Sequence, residues 1–416
     1  MKVLPVNNVV GEYVIPGDKS ITHRAVMFNA AAKGKATVVN ALVGEDCLST
    51  VNCMRALGAK IERDGNTFYI EGCPTFLNGA ECDCGNSGTT MRLLCGLVAG
   101  KGVNATLFGD KSLSSRPMKR VSEPLSMLGA IVNTTEGKAP IKISPSKLKG
   151  CEIHTKVASA QVKSALILAG LGAEGETKII EPIKSRDHTE RMLSAMGADI
   201  NVENNCVTVR KSNLNAVDVD VPADISSAAY FMALGALKGK TICKRVGINK
   251  TRTGILKAFD LLGVKYSLEN KKEVCGEPIA DIVVEKSKMH AIKLTSEIMP
   301  SLIDELPIIA LLCSVAEGES VICGAEELKV KESDRIKTTA EMISNLGGDI
   351  TATDDGFIIR GVKSLKGGNV NSYGDHRIAM SAAIGLISSE LGGEIEDAEC
   401  VNISFPNFYN MLSIKE

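Results

Sequence analysis

An apolar, Ala-rich segment ending in Gly, a short β-like run and a second, amphipathic segment follow one another six times along the 416 residues. The apolar segments are ITHRAVMFNAAAKG, TTMRLLCGLVAGKG, QVKSALILAGLGAEG, SSAAYFMALGALKG, LPIIALLCSVAEG and HRIAMSAAIGLISSELGG. Runs such as KATVVNAL, VNATLFG and ETKIIEP come next. Segments such as EDCLSTVNCMRALGAKI and HTERMLSAMGADI close each repeat, except that the sixth reaches the chain end. An LGA-like element puts Gly58, Gly129, Gly197, Gly263 and Gly347 where the second helix of a repeat has to stop, a position that favours a left-handed backbone. Stretches such as AKIERDGNTFYIEG and GDITATDDGFIIRG then predict paired strands around a turn.

A unit of about 70 residues that mixes helix and strand is too long for a solenoid repeat. Six such units divide into two domains of three. A segment apolar on nearly all sides reads as a buried helix, so each domain is expected to hold three buried helices surrounded by sheets and outer helices. A doubly wound sheet is the competing architecture. The chain lacks the GxGxxG strand–turn–helix found in dinucleotide-binding members of that class.

Composition removes several functions. Trp is absent and aromatics make up 4%, so the core is aliphatic and base-stacking surfaces for nucleic acid are not expected. A net charge of −1 offers no global field for nucleic acid or an anionic membrane. No run approaches the apolar length of a membrane span, and the N-terminus lacks the apolar region of a secretory signal. Thirteen Cys, an odd number scattered along the chain, read as reduced thiols of a cytoplasmic protein. Cys82 and Cys84 form the closest pair, and no second pair or nearby His completes a metal pattern, so no metal is expected.

The polar residues before each apolar segment carry the chemistry. GDKSITHR, GNSGTTMR, ASAQVKS, ADISS, IDELP and GDHR all supply helix caps. They also hold Lys19, Arg24, Arg92, Lys163 and Arg377, and a cation near a helix N-terminus opposes the macrodipole. Recurrence of that arrangement implies anions at these helix starts. Further basic clusters, with Arg116, Arg186, and Lys331, Glu332 and Arg335, follow the β runs of the second, third and fifth repeats.

GDKSITHR (17–24), GNSGTTMR (85–92), SSRPMKRV (114–121), SAQVKSA (159–165), SRDHTERM (185–192), IDELP (303–307), KVKESDR (329–335) and GDHRIAM (374–380) span almost the whole chain in order. With these motifs the chain closely resembles the 5-enolpyruvylshikimate-3-phosphate synthases, and RPMKRV and SAQVKSA resemble their class II branch. The resemblance implies an α/β inside-out prism of two domains, each of three βαβαββ-type units with buried parallel helices. One domain would combine 1–16 with 223–416 and the other would be the insertion 17–222, with hinges near 16–17 and 222–223. It implies a cytoplasmic monomer that joins the enolpyruvyl group of phosphoenolpyruvate to the 5-hydroxyl of shikimate 3-phosphate and releases phosphate. Neither cofactor nor metal is implied, because the donor already carries an activated enol.

Both substrates are multiply anionic. Two dianionic phosphates about 7 Å apart repel by roughly 9 kcal/mol at an effective dielectric near 20, so a crowd of cations is a physical requirement. By resemblance, Lys19, Ser20, Arg24, Ser159, Gln161, Ser185 and Arg186 hold shikimate 3-phosphate, with Asp304 and Lys331 at its hydroxyl. Lys19, Gly88, Arg92, Arg116, Gln161, Arg335 and Arg377 hold phosphoenolpyruvate, with Gly88 leaving room for close backbone approach. Asp304 would deprotonate the 5-hydroxyl, Glu332 would protonate C3 and later reclaim the proton, and Lys331 would stabilise negative charge near the hydroxyl. Glu305 is a lesser candidate, with a helix-start acid as its simpler role. The chain departs from the family in two places: Ala160 stands where a second serine is usual, and Ile403 precedes SFP where some members carry Lys. Two alternatives are a UDP-N-acetylglucosamine enolpyruvyl transferase of the same fold and a non-catalytic phosphate-binding protein. The first typically has Asn after the first Lys and a loop Cys; here Ser20 follows Lys19 and SSRPMKRV has no Cys.

Overall fold

In the computed structural model, which describes residues 1–413, the six apolar segments are helices. We label them α1 (Lys19–Ala31), α2 (Gly88–Lys101), α3 (Ala160–Gly170), α4 (Ile225–Lys238), α5 (Leu306–Cys313) and α6 (His376–Ser388). Every residue of α5 is buried, as are Ile21–Ala31 of α1 and Ile225–Ala236 of α4. Burial on nearly every side explains why none of these six helices shows the polar stripe of an amphipathic helix. No helix is long and apolar enough to cross a membrane among the described residues.

The chain divides into two units. One combines Met1–Pro16, Pro222–Glu273 and Pro278–Glu416, and the other combines Gly17–Val221 with Val274–Glu277. The last three residues of the first unit lie outside the described part. The short Val274–Glu277 piece, the turn between strands Lys265–Val274 and Glu277–Glu285, is a passage that the sequence did not announce.

Among the described residues each unit contains three buried helices and three sheets. Every sheet holds a parallel strand pair that belongs to one buried helix. Ala80–Asp83 and Ala105–Phe108 flank α2, Glu152–His154 and Glu176–Ile180 flank α3, and Lys293–Leu294 and Glu319–Ile322 flank α5. Gly368–Asn371 and Gly393–Glu396 flank α6. Parallel neighbours need a crossover connection, and the helix supplies it. A hairpin follows in the repeat, as in Lys60–Asp64 with Thr67–Glu71 and Asp349–Ala352 with Phe357–Arg360. Strands such as Lys138–Ser144 alternate exposed and buried residues, so one sheet face covers the helices and the other meets water.

Two repeats are completed by distant chain. Val219–Asp220 supplies the parallel strand beside Lys35–Val39, and Val9–Tyr13 supplies the one beside Gly239–Gly247. Among the described residues the sixth repeat has no hairpin of its own. Lys2–Val3 pairs antiparallel with Gly393–Glu396 instead and leaves a three-stranded sheet. The unit formed from both chain ends is thus closed by its own N-terminus.

The five LGA-like glycines adopt φ between +79° and +108°. Gly96 has a different reason to be Gly. A Cβ there would lie 1.9 Å from the Ala165 carbonyl oxygen on α3, and one on Gly100, a turn further along α2, would lie 2.5 Å from that of Leu168. The α2 and α3 backbones touch along this face.

Candidate active site

Five of the six buried helices start with a side chain that accepts a first-turn amide hydrogen. Asp18 accepts from Ile21 (2.8 Å), Ser87 from Thr90 (3.1 Å), Ser159 from Val162 (3.5 Å), Asp224 from Ser226 (3.0 Å) and Asp375 from Arg377 (3.0 Å). The sixth, α5, begins after Glu305, whose carboxylate makes no cap bond. The functional side chains sit on and beside these starts, and each unit carries its own set.

In the inserted unit, Lys19 is the first residue of α1 and forms an ion pair with Asp46 on helix Glu45–Ala56. Ser20 follows it, and its carbonyl accepts from Arg24 Nη1 (2.9 Å). Arg24 is buried, and its other nitrogens donate to Thr189 Oγ1 (2.7 Å) and Ser164 Oγ (2.9 Å). It ties α1 to α3 and to helix His188–Ala195. Behind Lys19, His23 Nδ1, Thr50 Oγ1, Thr90 Oγ1 and Ser87 Oγ form a hydrogen-bonded chain with links of 2.6–2.7 Å. Burial, then Lys19 and Arg24, push the His23 pKa well below its ordinary value, so this imidazole is neutral.

Gly88 opens α2. A Cβ there would come within 3.0 Å of Arg92 Nη1 and 3.4 Å of Arg116 Nη1. The missing side chain therefore leaves space for two guanidinium ends to converge on the helix start, a concentration of positive potential. Arg92 donates to Gln161 Oε1 (2.5 Å), Gln161 donates to Thr89 Oγ1 (2.9 Å), and Arg116 donates to Asn86 Oδ1 (2.7 Å). Ser159 and Gln161 lie at the start of α3. Ser185 and the partly exposed Arg186 lie in the irregular stretch before helix His188–Ala195. Ser185 Oγ is buried and makes no hydrogen bond.

Lys163 overturns an expectation. It is not a cation awaiting an anion at a helix start. It is 1% exposed, with Nζ 2.8 Å from both Glu181 and Glu190. Burial lowers its pKa, and the two carboxylates more than reverse that, leaving a net rise.

In the other unit, Arg335 is the hub. It is 1% exposed and donates to both carboxylate oxygens of Asp375 (2.8 and 3.0 Å) and to Glu332 (2.6 Å). Asp304 Oδ1 lies 3.7 Å from Arg335 and 3.3 Å from Lys331 Nζ. The Asp304 carbonyl accepts from Arg377 Nη1 (3.0 Å). Burial pushes the Arg335 pKa down, but Asp375 and Glu332 hold it above its ordinary value. Arg377 behaves alike, with Asp304, Tyr230, Glu305 and Asp224 outweighing burial. The candidate catalytic trio Asp304, Lys331 and Glu332 thus forms one hydrogen-bonded and ion-paired group with Arg335. Glu305 is buried and accepts from Ser226, which also accepts from Arg252 (2.6 Å). Glu305 is thereby part of a polar network rather than a cap.

Asp375, Arg252, Asp46, Glu181 and Glu190 are among the charged residues to which sequence reasoning gave no site role. Asp375 was visible only as a helix cap. Its second task, pairing with a residue 40 positions away, leaves no local signal.

Three-helix units whose helix starts gather Lys, Arg and carboxylates define an α/β enzyme class suited to anionic substrates. The family model for EPSP synthase (3-phosphoshikimate 1-carboxyvinyltransferase) matches residues 3–412. The chain is 45% identical over 421 residues to the 3-phosphoshikimate 1-carboxyvinyltransferase of Desulfitobacterium hafniense, covering 99% of this chain and 97% of that one. It is also 45% identical to that of Bacillus subtilis, covering 99% of each. The solved EPSP synthase of Acinetobacter baumannii superposes with a TM-score of 0.88 at 40% identity, covering 99% of this chain and 97% of that one. The chain belongs to the EPSP synthase family and has its inside-out two-domain α/β fold.

Proposed function

We infer that this chain transfers the enolpyruvyl group of phosphoenolpyruvate to the 5-hydroxyl of shikimate 3-phosphate, releasing phosphate, in the shikimate pathway of aromatic amino acid biosynthesis. Membership of the family carries the reaction. The observation that carries the residue roles is the grouping of Asp304, Lys331 and Glu332 around Arg335.

Asp304 takes the proton of the 5-hydroxyl as that oxygen adds to C2 of phosphoenolpyruvate, and Lys331 offsets the negative charge. Glu332 gives a proton to C3, forming a tetrahedral adduct with a methyl group. Phosphate leaves with the proton that Asp304 took, and return of one methyl proton to Glu332 regenerates the enol ether. Arg335 and Arg377 hold phosphoenolpyruvate together with Lys19, Gly88, Arg92, Arg116 and Gln161. Lys19, Ser20, Arg24, Ser159, Gln161, Ser185 and Arg186 hold the phosphorylated acceptor. The buried Ser185 hydroxyl, which makes no hydrogen bond of its own, supports that reading. Chain passages near 16–17 and 222–223 act as hinges. The protein works as a cytoplasmic monomer without a cofactor, and gel filtration checks the monomer.

Phosphate release with phosphoenolpyruvate and each of two acceptors tests the reading. Shikimate 3-phosphate should support turnover and UDP-N-acetylglucosamine should not. The opposite preference would move the chain to the sister activity, and release with neither would remove the catalytic reading.

A further inference from the structure

The stretch from Glu181 to Asp187 has no regular secondary structure, yet Glu181, Ser185, Asp187 and the following His188, Thr189 and Glu190 are all buried. Irregular backbone inside a protein needs a partner for each amide and carbonyl. At Ser185, Lys163 and its partner carboxylate Glu181 supply both. Lys163 Nζ donates to the Ser185 carbonyl (3.4 Å) while bridging Glu181 and Glu190 at 2.8 Å each. The same Glu181 oxygen accepts the Ser185 amide hydrogen (3.2 Å). Ser185 is therefore gripped on both sides by one ion-paired group. The far end of the segment is fixed separately, by His188 Nδ1 against Glu277 (2.8 Å) and by Thr189 Oγ1 against Ser164 (2.6 Å).

Lys163 stands on α3 one turn after its N-cap Ser159 and two residues after Gln161. The proposed acceptor-phosphate pocket draws on both places: Ser159 and Gln161 from α3, Ser185 and Arg186 from the irregular segment. We propose that Lys163, clamped by Glu181 and Glu190, is a positioning residue that sets the spacing between these two halves of the acceptor-phosphate pocket. The inference rests on the function proposed above and adds a residue that touches no substrate. A buried ammonium suits this task, because it bonds three oxygens at once and an apolar side chain of the same length bonds none. Its raised pKa keeps it charged throughout the working range.

Replacing Lys163 alone strands two buried carboxylates and endangers folding. The informative variant is therefore Lys163→Met/Glu181→Gln/Glu190→Gln, which removes the ammonium and both charges together. A control, Leu168→Ala, opens a cavity on the same helix away from the ion-paired group. Steady-state kinetics should show the KM for shikimate 3-phosphate raised by about tenfold or more in the triple variant, with kcat within a few-fold of wild type, because misplacement of a binding group weakens its use steeply. The control should keep the wild-type KM despite its lower melting temperature. A triple variant with wild-type KM, or a control whose KM rises equally, overturns the positioning role while leaving the reaction intact. A wild-type enzyme that releases no phosphate with shikimate 3-phosphate overturns the function, and this inference with it.

Discussion

Asp375→Asn isolates the charge that holds Arg335 in place. Asn keeps an oxygen for the Arg377 amide hydrogen, so the helix cap survives. What disappears is a paired carboxylate with no exposed surface against a guanidinium that is 1% exposed. Breaking a buried pair costs about 3–5 kcal/mol, since one charge is left buried without its partner. Arg335 retains Glu332 at 2.6 Å and Asp304 at 3.7 Å, so the lower end, about 3 kcal/mol, applies. For a unit of about 200 residues this lowers the melting temperature by about 6–12 °C. The pH dependence has a definite sign. Burial pushes the Asp375 carboxyl up and Arg335 more than reverses it, so its folded pKa lies below the ordinary 3.8. A depressed carboxylate contributes stability that is present above the unfolded pKa and is lost as pH falls through the folded one. The gap between wild type and Asp375→Asn should thus be full at pH 7 and narrow below pH 3.8. Calorimetric melting of both proteins across that range measures it. A variant melting within a degree or two of wild type at pH 7 would refute the view that this pair anchors Arg335.

Glu332→Gln should bind shikimate 3-phosphate with nearly wild-type affinity by titration calorimetry, while phosphate release falls by about 10²–10⁴-fold, the usual contribution of a positioned proton donor. Gly96→Ala should destabilise the inserted unit by about 1–3 kcal/mol or more, because the new methyl meets the Ala165 backbone rather than a movable side chain; urea denaturation reads this. Small-angle scattering should show a smaller radius of gyration once shikimate 3-phosphate is bound, as ligand-driven closure at the proposed hinges requires, and an unchanged radius would remove the hinge proposal.

The helices and hairpins were readable in the sequence because their periodicity is local. The all-apolar LPIIALLC needs no partner to be recognised as a buried helix. The strands that finish the repeats were not readable. Lys2–Val3 and Val219–Asp220 are two residues each, too short for any alternation, and are strands only because a neighbouring strand offers its edge. The turn at Val274–Glu277 escaped for a similar reason, since nothing in four residues shows which unit they pack on. The basic residues of the site stood out because their repeat positions recur. Their partners did not. Whether Lys163 meets a ligand anion or two internal carboxylates depends on where residues 18 and 27 positions away fold back, and charge pattern alone gives both the same appearance.

The central chemical claim is that C3 of phosphoenolpyruvate gains a proton from the protein and a methyl group exists in transit. Turnover in deuterated water, followed by mass spectrometry of the product, tests it most directly. The addition–elimination route predicts solvent deuterium in the vinyl CH2 of the product, with its formation rate collapsing in Glu332→Gln. A product formed at full rate with no deuterium at that carbon would mean that the enolpyruvyl group moves without protonation at C3, and would contradict the roles given to Asp304 and Glu332.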